Sequence, residues 1–471
     1  MLGAERPELT RLLPSGGQAG TVIEVEASGK FPIWPIQAWS DTESIRWSFE
    51  EGSGKLKANI DASTPPGLHW LRLYHPDGAT SVRPFVVSNT PEQIEREPNN
   101  RVAEANAIDS LPRSVHGVLS KRGDVDLYSI KLVEGQKLVA TVDADQIFHS
   151  PLDANLQLLD SEGFLIEESL DHFGLDPSIE MRAPRDGKYL IRVFGFPATP
   201  DQTIAFGGGD AWIYRLRLEP NADRSRYPLP STSSLPGYNM QSMEPGQAIA
   251  PDNALLIELP AVITGKIERV DQHRFLRFQA ISGQQYRLQL RARDLGSELD
   301  ATIAILDAKG KQLSQQDDVG NDRDPDLKWK APADGKYTIE IQDFHKSGGQ
   351  DFEFKLAVSS LVQDFHVSIP NDLIQATVGK ETEIEVIVAR ECDFVGEISV
   401  SLEGAPEGVE CPVVKSIHGS DTAKKVTLRV KSTVLFQGPI RVSATAADLV
   451  DRIHMATTEH EKPIWLSCVS E

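Results

Sequence analysis

The chain has 471 residues, with 69 acidic and 48 basic side chains and a formal net charge of −21. A chain of this length exceeds a single hydrophobic core, so several domains are expected. The acidic balance argues against binding to nucleic acid or to anionic membrane surfaces, which need a basic surface. No stretch approaches the ~20 apolar residues that span a membrane. The many carboxylates suit hard cations such as calcium.

Residues 1–90 predict an Ig-like β-sandwich. The start, MLGAERPELTRLL, lacks the apolar core of a signal peptide. The chain is therefore either cytosolic or a secreted protein whose signal peptide has been removed. TVIEVEAS at residues 21–28 alternates apolar and polar residues, which is typical of a strand with one face in a core. Of Trp34, Trp39, Trp47 and Trp70, we expect most to be buried anchors and Trp34, between two prolines, to be the most exposed.

Two regions, residues 91–220 and 244–360, carry the same ordered set of motifs. The first reads EPNN from Glu97, GDVDLY from Gly123, LQLLDSEG from Leu156 and APRDGKY from Ala183. The second reads EPGQ from Glu244, DQHRFL from Asp271, IAILDAKG from Ile303 and APADGKY from Ala331. An internal repeat predicts one fold used twice. The second copy has lost the acids of the GDVDLY motif.

The remaining segments complete the fold prediction. Residues 221–243 are rich in Pro and Ser without apolar periodicity and predict a linker. Residues 361–471, from DFHVSIP to PIWLSCV, predict another Ig-like β-sandwich. No long segment shows helical spacing. The predicted fold class is therefore all-β, a tandem array of four antiparallel β-sandwich domains: Ig-like, two jelly-roll-like repeats, Ig-like.

The three cysteines leave two alternatives open. Cys392 and Cys411 could pair in an oxidising compartment and leave Cys468 over. Equally, all three could be thiols, because connectivity does not follow from sequence.

The motifs of the first repeat resemble the bacterial pre-peptidase C-terminal domain, whose pattern is EPN(N/D), GDxDxY, a hairpin L-x-L-x-D-x-x-G and a strand AP-x-x-G-x-Y. The positions that match are Glu97, Pro98, Asn99, Asn100, Gly117, Gly123, Asp124, Asp126, Tyr128, Asp160, Gly163, Gly187 and Tyr189. The second repeat keeps the hairpin and the DGKY strand. The N-terminal region resembles TIG/IPT-type Ig-like domains, and the last region resembles Ig-like domains that follow such repeats. The whole arrangement is similar to secreted multi-domain proteins of planctomycete-type bacteria.

This resemblance implies a jelly-roll-like domain that is appended to secreted enzymes, often peptidases, and is usually non-catalytic. Its collagen-binding relatives hold calcium between an N-terminal acidic segment and an acidic loop. The resemblance therefore implies a secreted, periplasmic or cell-surface protein, and it favours a disulfide between Cys392 and Cys411.

A calcium site in the first repeat is the main site hypothesis. Calcium takes six to eight oxygen ligands, and six oxygen donors fall in the two acidic motifs: Glu95, Glu97, Asn99, Asn100, Asp124 and Asp126. The alternative is that EPNN is only a turn and the two aspartates lie on a solvated loop. The second repeat has Gln272 and Arg274 in place of Asp124 and Asp126, so we expect no calcium there.

Two functions from different classes compete. The chain contains neither H-E-x-x-H nor G-x-S-x-G, and we expect no enzymatic activity. The first hypothesis is a secreted or cell-surface scaffold that presents its sandwiches to an extracellular protein or polysaccharide, with calcium stiffening the joint between the first two domains. The second is the accessory region of a secreted hydrolase, most simply a peptidase. The pattern specifies no oligomeric state.

Overall fold

The computed structural model describes residues 5–172, 174–196, 206–220, 238–295, 297–318, 324–449 and 452–470. Nearly all regular structure in these residues is β-strand, with one short α-helix, α1 (Asp145–Phe148). The prediction of an all-β protein built of sandwiches is confirmed. None of the described helices is long and apolar enough to cross a membrane. The chain forms two compact units: Met1–Ser169, Ile179–Ala222 and Gln363–Glu471 in one, Leu170–Ser178 and Asp223–Val362 in the other.

The N-terminal sandwich packs two sheets around an apolar core. Its strands are β1 (Glu8–Leu13), β2 (Gly16–Gln18), β3 (Val22–Lys30), β4 (Gln37–Ser40), β5 (Ile45–Phe49), β6 (Lys55–Ile60), β7 (Gly67–His75), β8 (Gly78–Ala79) and β9 (Arg83–Ser88). The sheet orders are β1-β3-β6-β5 and β2-β9-β7-β4, with β8 beside β7. The alternation predicted in TVIEVEAS appears in β3, where Val25 and Ala27 face the core.

The first repeat is a sandwich of two five-stranded sheets. Its strands are β10 (Glu92–Ile94), β11 (Asn106–Ile108), β12 (Arg113–Val118), β13 (Asp126–Leu132), β14 (Lys137–Asp143), β15 (Ala154–Leu159), β16 (Leu165–Ser169), β17 (Ser178–Arg182), β18 (Gly187–Gly195) and β19 (Ile213–Pro220). The sheet orders are β10-β12-β19-β14-β17 and β11-β13-β18-β15-β16. The predicted hairpin forms between β15 and β16, and its Asp160 carboxylate accepts hydrogen bonds from the backbone N–H groups of Glu162 and Phe164.

The second repeat has the same strand order. Its strands are β20 (Asn239–Ser242), β21 (Leu255–Leu256), β22 (Ala261–Lys266), β23 (Arg274–Ala280), β24 (Gln285–Arg291), β25 (Ala301–Leu306), β26 (Gln312–Gln316), β27 (Asp326–Lys330), β28 (Gly335–Asp343) and β29 (Glu353–Leu361). Its sheets run β20-β22-β29-β24-β27 and β21-β23-β28-β25-β26. Most of the predicted linker, residues 221–237, lies outside the described residues, whereas residues 239–242 form β20.

Each repeat opens each sheet with a short parallel strand. Strands β10 and β11 run parallel to β12 and β13, and β20 and β21 run parallel to β22 and β23. Within the two repeats, the prediction of antiparallel pairing holds for the longer ladders and misses these edges. Strands of two to four residues are too short to show a period-two pattern.

The C-terminal sandwich contains three sheets. Its strands are β30 (Asp364–Ser368), β31 (Leu373–Thr377), β32 (Glu381–Glu391), β33 (Ile398–Glu403), β34 (Val409–Glu410), β35 (Val414–Ser416), β36 (Lys425–Ser432), β37 (Phe436–Pro439), β38 (Arg441–Ala446), β39 (Ile453–Met455) and β40 (Trp465–Val469). The sheet orders are β30-β32-β36-β34, β31-β40-β37 and β35-β33-β38-β39. Cys411 is a free thiol, so the disulfide between Cys392 and Cys411 that the resemblance favoured does not form.

The N-terminal and C-terminal sandwiches contact one another within the first compact unit. Arg72 is fully buried, and its Nη1 donates to the Thr80 carbonyl at 2.7 Å. Its Nη2 lies 2.5 Å from Asp372 Oδ2, and its guanidinium carbon lies 5.6 Å from the ring centroid of Trp465. Trp39 and Tyr74 pack on the same Trp465 ring at centroid distances of 5.7 and 5.1 Å. The N-terminal and C-terminal sandwiches therefore pack against each other, which the sequence pattern did not predict.

The tryptophan prediction is wrong in detail. Only Trp70 is buried, while Trp34, Trp39 and Trp47 are half-buried. Trp34 is not an exposed side chain, because it packs edge-on against Phe49 at 5.5 Å and donates its indole N–H to the Glu50 carbonyl.

Candidate cation site in the first repeat

The segment Glu95–Asn100 bridges the two sheets of the first repeat. Its start continues β10, since the Glu95 backbone N–H donates to the His116 carbonyl in β12 at 2.9 Å. Its end lies beside the other sheet, where the Leu127 N–H in β13 donates to the Asn99 carbonyl at 3.0 Å. The segment therefore brings the EPNN motif next to the first residue of β13, which is Asp126.

Three of the six predicted ligands converge. One carboxylate oxygen from each of Glu95, Glu97 and Asp126 lies within 4.8 Å of the other two. Asp126 is fully buried, and burial, followed by the nearby Glu95 charge, raises its pKa well above the ordinary range. Burial also raises the pKa values of Glu95 and Glu97. Three acids held this close repel one another unless a proton or a cation lies among them.

Two buried oxygens at the site have no hydrogen-bond donor among the described residues. They are Asn99 Oδ1 and Asp126 Oδ1. The amide of Asn99 is oriented by its Nδ2, which donates to Glu95 Oε2 at 3.3 Å. Buried acceptors normally have a partner, and a hard cation is a partner for amide and carboxylate oxygens alike. The donor set therefore fits calcium.

The other two predicted ligands are bonded to each other. Asn100 Nδ2 donates to Asp124 Oδ1 at 3.1 Å, and the Ser120 N–H and hydroxyl both donate to Asp124 Oδ2, at 2.7 and 2.9 Å. These contacts support the turn reading for Asp124. Its charge still acts on the site, because after burial it is the main cause of the raised pKa of Glu97.

The hydroxyl groups of two buried tyrosines contact the acids. Tyr214 donates to Asp126 Oδ2 at 2.5 Å, and the Tyr128 hydroxyl oxygen lies 3.3 Å from Glu95 Oε2. The two hydroxyl oxygens are themselves 2.5 Å apart. Tyr128 belongs to the GDVDLY motif, but sequence reasoning missed Tyr214. Tyr214 could be recognised as part of the site only from the structure, because the pairing of β12 with β19 brings it against Gly117.

The second repeat replaces this cluster with apolar side chains and one arginine. Equivalent register positions place Met243, Arg274, Leu276 and Phe354 where the first repeat has Glu95, Asp126, Tyr128 and Tyr214. Arg274 is buried, and its Nε donates to the Lys266 carbonyl at 2.7 Å and its Nη1 to the Gln247 carbonyl. Its Nη2 lies 3.4 Å from Glu268 Oε1. A fixed positive charge thus stands in the second repeat at the position of a buried carboxylate in the first.

A second charged cluster lies in the first repeat, on the outer face of the sheet that contains β12 and β19. Sequence reasoning missed it. Arg215 is fully buried, with Nη2 at 2.5 Å from Glu92 Oε1 and Nη1 at 3.6 Å from Asp143 Oδ2. His116 Nε2 donates to Glu92 Oε2 at 2.6 Å. Burial opposes ionisation of Glu92, but Arg215 and His116 outweigh it and lower its pKa to about 2. Ser88, the last residue of β9, donates to the Glu92 carboxylate at 2.6 Å. The cluster therefore links the end of β9 to the first repeat.

Comparison with known proteins supports the assignment of the first repeat. Residues 124–195 match the bacterial pre-peptidase C-terminal domain, so a domain of this family is present there. A probable subtilase-type serine protease of Deinococcus radiodurans is 29% identical over an alignment of 180 residues, with 35% of this chain and 24% of the relative covered. The chain thus spans about a quarter of the length of that curated relative.

Solved structures give weak overall similarity. The pre-peptidase C-terminal domain of a Bacillus anthracis collagenase is 17% identical, with 26% of this chain and all of that chain covered, at a TM-score of 0.20. The periplasmic lysozyme inhibitor PliG of Aeromonas hydrophila is 15% identical, with 26% of this chain and 98% of that chain covered, at a TM-score of 0.18.

Proposed function

We propose that the protein is a non-catalytic, extracellular binding scaffold whose first repeat carries one calcium site. The observation that supports the site is the convergence of Glu95, Glu97 and Asp126 around two buried oxygens that have no donor among the described residues. The pre-peptidase C-terminal domain at residues 124–195 supports the extracellular setting. Residues 91–220 and 244–360 would then be two copies of this domain between Ig-like ends, and the partner would be an extracellular protein or polysaccharide.

The proposed site acts through the segment Glu95–Asn100. This segment ties β10 in one sheet to β13 in the other, and β10 itself follows the connection from the N-terminal sandwich, residues 89–91. Glu95 and Asp126 would supply carboxylate oxygens from the interior, and Asn99 would supply an amide oxygen. Glu97 would supply a carboxylate oxygen from the solvent-exposed side. Holding the segment in one conformation would limit motion between the first two sandwiches.

Calorimetric titration of the chelator-stripped full chain with calcium tests this function. We expect one site per chain, since the second repeat has Met243 and Arg274 at the positions of Glu95 and Asp126. The site should disappear in Glu95→Gln and persist in Glu244→Gln, which changes the same residue type in the EPGQ motif of the second repeat. Absence of binding to the wild-type chain would refute the calcium site.

Calcium affinity should rise with pH. The pKa values of Glu95, Glu97 and Asp126 are raised in the cation-free fold, mainly by burial. Above the ordinary carboxyl range near pH 4, the cation-free fold therefore holds more protons than the unfolded chain, and ionising these groups lowers its stability. Calcium must displace those protons. Titrations at pH 6 and pH 8, each in two buffers of different ionisation enthalpy, should show weaker binding and more proton release at pH 6. Equal affinity without proton release would contradict the shifted acids.

An alternative function is the accessory region of a secreted hydrolase. The observation that favours it is the similarity to part of a probable subtilase-type serine protease. Sequencing the complete gene separates the two proposals, because a protease domain encoded in the same reading frame would decide for the accessory role.

A further inference from the structure

A groove of about 570 Å³ lies where the N-terminal and C-terminal sandwiches meet within the first compact unit. It runs between Trp39 and Asp41 on one side and β38 with the segment before β40 on the other. The buried Arg72–Asp372 pair and the packing of Trp39 on Trp465 fix the two walls against each other. A volume of this size is typical of small-ligand sites in proteins.

The groove has an apolar floor and an aromatic wall. Ile440 and Ile464 are buried beneath it, and Met455 is 45% exposed at its edge. Trp39 is half-buried, so part of its indole remains open to the groove. A flat aromatic surface beside aliphatic groups suits the apolar face of a ring-shaped ligand.

The acidic and basic groups around the groove differ in their interactions with the rest of the protein. Asp41 Oδ1 accepts the Trp70 N–H at 3.0 Å, and Glu403 accepts the Ser443 hydroxyl. Arg441 lies directly across the β33–β38 ladder from Glu403, yet neither Arg441 nor Lys462 forms an ion pair with any residue that the structure describes. The groove therefore offers two cations without an ion-pair partner among the described residues, beside two carboxylates that already accept hydrogen bonds.

We propose that this groove binds an acidic polysaccharide, through one or more uronate sugars. Arg441 and Lys462 would bind the carboxylate, since charge-assisted hydrogen bonds to carboxylates are the strong ones. Trp39 would stack on a pyranose face, and Asp41 and Glu403 would accept hydroxyl hydrogens. A sugar fits better than an acidic peptide, because the lining combines carboxylate acceptors and cationic donors with an aromatic ring, as a polyhydroxylated ring requires. The proposal deepens the scaffold function and rests on it, but it is independent of the calcium site.

Binding of polygalacturonate to the full chain, measured by calorimetry in EGTA and low salt, tests the proposal. We expect binding that weakens with added salt, as ionic contacts do. Affinity should fall at least tenfold in the surface double variant Arg441→Gln/Lys462→Gln and in Trp39→His. The double variant Lys415→Gln/Arg429→Gln, which removes two exposed cations elsewhere on the same sandwich, should retain affinity within twofold. Because Trp39 packs on Trp465, thermal unfolding of Trp39→His checks that the joint is intact, and the Arg441→Gln/Lys462→Gln variant tests the groove without touching that packing.

Each other outcome overturns the assignment. No binding of polygalacturonate, or equal loss in both double variants, refutes the groove. Equal binding of neutral dextran refutes the role of the two cations, and tighter binding of dextran sulfate assigns a sulfated rather than a carboxylated sugar. Displacement by poly-glutamate at lower concentration than by polygalacturonate makes the occupant an acidic peptide. EGTA keeps the result separate from the calcium titration, so either proposal can fail alone.

Discussion

Replacing Arg215 with methionine should lower the stability of the first repeat by about 3–5 kcal/mol, the usual cost of removing one partner from a buried ion pair. Arg215 is fully buried and holds two acids, Glu92 at 2.5 Å and Asp143 at 3.6 Å. With a pKa of about 2, Glu92 is ionised at neutral pH, so the variant leaves it buried with one cation fewer. Chemical denaturation at pH 7, monitored on the transition that includes the first repeat, measures the loss.

A surface pair provides the control for Arg215→Met. Arg46 is 58% exposed and pairs with Asp61 at 2.6 Å, so Arg46→Met should leave the unfolding curves unchanged, because solvent and salt screen such pairs. The Glu92 contribution is present above the ordinary carboxyl range and is lost as pH falls towards 2. The difference between wild type and Arg215→Met should therefore shrink in acid. A small loss at pH 7, equal to that of Arg46→Met, would show that the cluster is not desolvated.

Asp126→Asn should stabilise the first repeat in chelator and destabilise it in calcium. In chelator, the variant removes a buried carboxylate whose pKa is raised by burial and by Glu95, and the amide can still accept the Tyr214 hydroxyl. In calcium, the variant loses a charged ligand. With free calcium at about a hundred times the dissociation constant, wild type gains about 2.7 kcal/mol that the variant lacks. Thermal unfolding at pH 8 measures both effects: the stabilisation in EGTA and the destabilisation in calcium.

The reversal of sign separates a cation site from a purely structural one. If Asp126 served only the hydrogen bond from Tyr214, Asp126→Asn would have the same effect in both conditions. Asp109→Asn makes the same charge change at an exposed position of the same repeat, and it should alter neither curve. Destabilisation of Asp126→Asn in EGTA would count against the repulsion among the three acids.

The sandwiches were predictable because their signals are local. The alternating segment that predicts β3 forms a strand at the expected place. The DSEG and DAKG turns form their hairpins because the aspartate that begins each turn accepts a hydrogen bond from the backbone N–H two residues later. At the candidate site, Glu95, Glu97 and Asp126 converge as the family resemblance implied, whereas Asp124 and Asn100 bond to each other.

The sequence alone determined the all-β class, the set of motifs that the two regions share and the acids of the first copy, since each is read from short runs of residues. Tertiary structure alone decided the rest. The partners Arg215 and Glu92 are 123 residues apart, and Arg72 and Asp372 are 300 apart. No periodic pattern links such residues, because their charges interact only after strand pairing and sandwich docking have removed the water between them. The same burial raises the pKa of Asp126, lowers that of Glu92 and forms the groove beside Trp39, so these properties belong to the packed molecule.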